Sequence, residues 1–68
     1  MGKHEVIEFL EYVAQFARVT VTQAVVDAWF TAFAERYTLA HLRKAFERMQ
    51  VRTDKAPSIY AMQDELNA

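Results

Sequence analysis

The chain has 68 residues, no cysteine, one glycine, one proline and a formal net charge of −1. Without cysteine there is no disulfide, no thiolate nucleophile and no cysteine-based zinc site, a composition that fits a cytoplasmic location. Scarce glycine and proline mean few turns, hence a handful of helices rather than many short strands, and a 53% apolar fraction with 13% aromatics argues against disorder.

No uncharged apolar run approaches the 18 or so residues of a membrane span, and no basic region precedes an apolar stretch at the N-terminus. Neither a membrane span nor a signal peptide is expected. A chain of this size buries only about 60% of its unfolded surface, so it needs dense aromatic packing or a partner chain to be stable. A second copy of itself, forming a homodimer, is one such partner.

The first helical segment runs from Lys3 to about Ala17. At 100° per residue, Val6, Ile7, Phe9, Leu10, Tyr12, Val13, Ala14, Phe16 and Ala17 fall in an apolar arc of roughly 220°, wider than an ordinary surface helix shows. Either this helix is central and covered on two sides, or Phe9, Tyr12 and Phe16 extend into an interface. His4, Glu8, Glu11 and Gln15 form the opposite, acidic stripe.

Residues 18 to 22 are short and β-branched but have no pairing partner elsewhere, so they read as a connection. Thr20 with Gln23 matches a capping box, and Thr22 is the rival cap. The second helix then extends to about Tyr37, with Val25, Val26, Trp29, Phe30, Phe33 and Tyr37 on one side. Trp29, at helical spacing within this set, is read as core.

Thr38 is a suitable N-cap for a third helix carrying Leu39, Leu42, Ala45, Phe46 and Met49 on one face and ending near Gln50 or Val51. A polar loop leads to Pro57. Ser58 then caps a short last helix through Leu66, with Ile59, Met62 and Leu66 facing inward. The expected architecture is all-α: one domain over residues 1–68, a small bundle of three longer helices plus a short C-terminal helix.

The near-zero net charge hides a division along the chain. Residues 1–35 carry −3 (Lys3 and Arg18 against Glu5, Glu8, Glu11, Asp27 and Glu35). Residues 36–55 carry +4 (Arg36, Arg43, Lys44, Arg48, Arg52 and Lys55 against Glu47 and Asp54), and Asp64 and Glu65 close the chain with −2. On the third helix His41, Lys44, Arg48 and, if the helix persists, Arg52 fall on one stripe away from the apolar face. A solvated face accounts for such a stripe, its cations complementing the helix dipole. A contact surface is the functional alternative. The slightly acidic whole favours an acidic protein over nucleic acid as the partner, and nucleic acid stays as the lesser possibility.

Catalytic chemistry has little to work with. His4 and His41 lie on different helices with no company at ligand spacing, so no metal site is expected, and His4 with Glu8 reads as a surface pair. Ser58 lacks a local base and reads as a cap. Glu5, Glu8 and Glu11 sit on the wettest face of their helix, unlike a catalytic carboxylate pair. The sole glycine is at position 2, so no phosphate-cradling loop is possible and no cofactor is expected. The chain is read as non-enzymatic.

The order of landmarks resembles the folded N-terminal domain of the phage replicative-helicase loader/inhibitor family. The match covers about residues 4 to 66. It rests on Thr22, Val26, Trp29 and Phe33, then Tyr37-Thr38-Leu39 opening a helix that contains Ala45, then Pro57-Ser58-Ile59 before a short closing helix. The resemblance implies a non-enzymatic adaptor in phage DNA replication that engages the replicative helicase and the phage initiator. Val26, Trp29, Phe33, Pro57 and Ile59 carry over as scaffold. Family members continue into a flexible tail implicated in helicase contact, whereas this sequence stops at Ala68. It is therefore expected to be the domain alone or a minimal relative that binds through its folded surface. The alternative is a stand-alone phage inhibitor of a host enzyme, of the anti-CRISPR or host-takeover type. The preferred contact surface is the stripe His41, Lys44, Arg48 and Arg52, with Lys55 and Tyr60 at its edge.

Overall fold

A computed structural model describes residues 1–67. They form α1 (Lys3–Ala14), α2 (Gln23–Phe33), α3 (Leu39–Gln50) and α4 (Ile59–Leu66), with no strand among them. The all-α architecture of three longer helices and a short fourth is as expected. No helix among the described residues is long and apolar enough to cross a membrane.

Each helix start is chemically specified. The Glu5 carboxylate accepts the Gly2 N–H at 3.0 Å, satisfying a donor that the first turn of α1 would leave orphaned. Of the two rival threonines, Thr22 is the cap of α2: its Oγ1 accepts the Val25 N–H at 3.2 Å. Ser58 Oγ accepts the Ala61 N–H at 3.1 Å and so caps α4. At α3 the box is reciprocal. Thr38 Oγ1 accepts the His41 N–H at 3.3 Å, and His41 Nδ1 accepts the Thr38 N–H at 3.1 Å.

Two helices end a turn earlier than periodicity predicts. α1 stops at Ala14 rather than Ala17, because the backbone tightens there: Gln15 N–H bonds the Tyr12 carbonyl and Phe16 N–H the Val13 carbonyl, at 3.2 and 3.0 Å. Such three-residue spacing turns the chain off the helix axis. α2 stops at Phe33 rather than Tyr37, since Thr38 must be extended (φ −100°, ψ 168°) to cap α3, and the preceding residues close the turn through Phe33. Hydrophobic pattern reports which side chains face inward; it does not distinguish a last helical turn from the tight turn that follows it.

α1 lies between α2 and α3, and α4 packs on α3. This central placement explains most of the wide apolar arc. Val6, Phe9, Leu10 and Val13 of α1 are buried against Val26, Trp29 and Phe33 of α2 and against Leu42, Ala45, Phe46 and Met49 of α3. Phe9 joins the two sides, its ring 5.7 Å from Trp29 and 6.3 Å from Phe46, edge-on to the latter. Met62 is the fully buried residue of α4. Polar contacts close the rim: the Met1 amine donates to the Ala34 carbonyl at 3.0 Å, and Lys3 pairs with Asp27 at 3.0 Å.

Candidate protein-binding surface

α3 presents its polar flank on the side away from α1. Lys44, Arg48 and Arg52 follow one another at one-turn intervals. α3 ends at Gln50, and Arg52 lies in the tight turn that follows, its N–H bonded to the Met49 carbonyl at 3.0 Å. Lys44 is exposed on the outermost part of this row.

Arg48 and Arg52 converge on Glu65 of α4. Arg48 Nε donates to Glu65 Oε2 at 2.9 Å, its Nη2 reaches the Glu65 carbonyl at 3.4 Å, and the Arg52 guanidinium donates to Oε1. The acid is enclosed, with its side chain 9% exposed, while the arginine side chains remain 52% and 62% exposed. The hydrogen bond from Arg52, followed by that from Arg48, holds the Glu65 carboxyl below the usual carboxylate range. Two cations share one anion, so the cluster keeps a surplus positive charge on its open side.

His41 occupies the start of the stripe in a different capacity. Its Nδ1 accepts the Thr38 N–H, the reciprocal half of the box that starts α3. The ring lies edge-on to Tyr37 at 6.1 Å.

Lys55 is exposed in the loop after α3, where its own N–H bonds Thr53 Oγ1 at 3.2 Å. Tyr60 is 79% exposed on α4. It lies five positions before Glu65, which at 100° per residue puts the two about 140° apart around the helix. The fold therefore brings Arg48 and Arg52 together, continues that row with Lys44, and turns Tyr60 to another side of α4 from the arginine cluster.

Two features escape linear reading. Glu65 lies 17 residues from Arg48 and 13 from Arg52, so no local spacing links them; only the docking of α4 on α3 does. The second is an aromatic patch at the end of α1. The Arg43 guanidinium lies 4.8 Å from the Tyr12 ring centroid, and its buried Nε has no hydrogen-bond partner. Tyr12 and Phe46 lie beside Phe16, at 5.2 and 6.2 Å between centroids, and Phe16 is 51% exposed. The excess width of the first helix was the sequence signal for this patch: Phe9 went into the core, while Phe16 stayed at the surface.

Among the described residues, no group of three histidine, aspartate or glutamate side chains is placed to hold a metal ion. Val26, Trp29 and Phe33 are buried and Pro57 and Ile59 half-buried, a scaffold placement. No family model, curated protein or solved structure matches the chain.

Proposed function

We propose that this chain is a non-enzymatic protein-binding module that presents the Lys44–Arg48–Arg52 row of α3 to an acidic protein surface. The observation that carries the reading is the row itself: three exposed cations one turn apart, two of them held in place by a single enclosed carboxylate. Opposite charge across an interface raises the association rate and suppresses wrong partners. The non-enzymatic part rests on composition, with no cysteine and a single glycine at position 2.

The acidic partner we assign is a hexameric replicative helicase, with the chain acting as an adaptor in phage DNA replication. That assignment rests on the landmark residues Thr22, Val26, Trp29, Phe33 and Pro57-Ser58-Ile59. His41 serves this surface as the cap that starts α3, Lys55 lies in the loop beyond it, and Tyr60, on another side of α4, is left out of it.

The test is binding of purified helicase to the immobilised chain, wild type against Lys44→Glu and Lys44→Glu/Arg48→Glu. Lys44 makes no contact with Glu65, so its reversal leaves the α3–α4 clasp intact. We expect roughly tenfold or greater weakening in the double variant, with helical circular dichroism retained. Unchanged affinity in a folded double variant refutes the surface. A wild-type chain that leaves the helicase unbound refutes the replication assignment and turns the search to another host protein, as a stand-alone inhibitor requires.

A further inference from the structure

The Arg48–Arg52 pair is seen gripping a carboxylate, and that carboxylate belongs to the chain itself. We infer that Glu65 is a built-in competitor: it occupies in cis the position that a glutamate or aspartate of an acidic partner helix takes on binding, and so sets the strength of that binding. The inference rests on the protein-binding reading above and names the chemistry and the regulation of the same surface.

Four observations carry it. Each oxygen of Glu65 meets a different arginine, Oε2 with Arg48 and Oε1 with Arg52, so the pair is already arranged around one carboxylate. A guanidinium has five N–H donors, and the bonds to Glu65 use a minority of them. Both arginines are more than half exposed, so an incoming acid can reach them before Glu65 lets go. Finally, α4 is held on the bundle by fully buried Met62 with Ile59, Ala61 and Leu66 packed beside it, so Glu65 can release the arginines without α4 leaving α3. The row Lys44, Arg48, Arg52 repeats every turn, and a helix bearing acids one turn apart has the matching repeat.

A carboxylate partner is favoured over phosphate on the page. The bound group in the cluster is a carboxylate, and residues 1–35 bring a net −3 that repels a polyanion such as DNA.

The experiment titrates isotopically labelled wild-type chain with a synthetic helical peptide carrying glutamates one turn apart, followed by NMR. We expect the Arg48 and Arg52 Nε–H signals and the Glu65 carboxyl carbon to move together as peptide binds. Binding that leaves the Glu65 signal unmoved overturns the inference, as does an absence of binding. In parallel, Glu65→Gln should bind the same peptide about two- to fivefold more tightly, the range a single exposed ion pair supplies. Glu8→Gln, the same change of charge on the exposed face of α1, should move the affinity less. Equal or weaker binding by Glu65→Gln overturns the inference, because it makes Glu65 a support for the arginines and not their competitor. An equal gain in Glu8→Gln reduces the effect to net charge and does the same. If Glu65→Gln loses α4, seen as lost helical signal, the wild-type titration decides alone. Tighter retention of Glu65→Gln on duplex DNA but not on peptide overturns the carboxylate assignment. Helicase binding that depends on Lys44 and Arg48 while peptide binding ignores Glu65 leaves the protein-binding reading standing and removes only the competitor.

Discussion

Truncating Phe9 to alanine should come close to unfolding this protein. Phe9 is fully buried, and its ring links Trp29 of α2 to Phe46 of α3 across the central helix. Loss of a buried phenylalanine costs about 3–5 kcal/mol, comprising its transfer from water, the void left behind and the lost ring contacts. A 68-residue domain holds roughly 3–10 kcal/mol in total. The two figures overlap, so Phe9→Ala should retain little cooperative stability at 25 °C. Urea denaturation followed by Trp29 fluorescence is the assay, with a slope of about 1 kcal/mol per molar for a domain this small. The midpoint should fall by about 3 M or the folded baseline should vanish. Phe16→Ala is the internal control: it removes a ring that also packs on Phe46 but is half in water, and about 1 kcal/mol is expected. A loss below about 1.5 kcal/mol at Phe9, or equal losses at the two sites, would refute the assignment of Phe9 as the residue joining both halves of the core.

Thr38→Ala removes the side-chain acceptor at the start of α3 and should cost about 1 kcal/mol in equilibrium unfolding, with faster amide exchange at the His41 N–H. Exchange unchanged at that amide would show that the cap does not hold the first turn. A third expectation concerns acid. The folded state favours ionised Glu65, so its contribution is present above the unfolded carboxyl value of about 4.3 and is lost as pH falls through the lower folded value. Thermal melts between pH 7 and pH 2 should show wild type falling more steeply over that acid range than Glu65→Gln; parallel profiles would contradict the clasp.

The amino-acid sequence by itself determined that there are four helices, where two of them start, and most of the core. Thr38 and Ser58 announce helix starts because their hydroxyls meet backbone donors three residues away, whereas Thr20 and Thr22 were rivals and the structure chose Thr22. Trp29, Phe33, Leu42 and Met49 announce the interior because a helix repeats every 3.6 residues and so gathers them on one side. These are local relations, complete within a turn or two. What tertiary structure decided is everything that depends on how helices sit beside one another. The breadth of the first helix permitted either a central position or an interface; packing divided it, sending Phe9 inward and leaving Phe16 half exposed. The basic stripe was legible as a row of charges, but its state was not. His41 is drawn out of it by a cap, and Arg48 and Arg52 are gathered by Glu65 from the far end of the chain. An ion pair between residues 13 and 17 positions apart leaves no periodic trace, because its geometry is set by the docking of α4 on α3, and that docking is driven by the burial of Met62 and its apolar neighbours rather than by the charges it brings together.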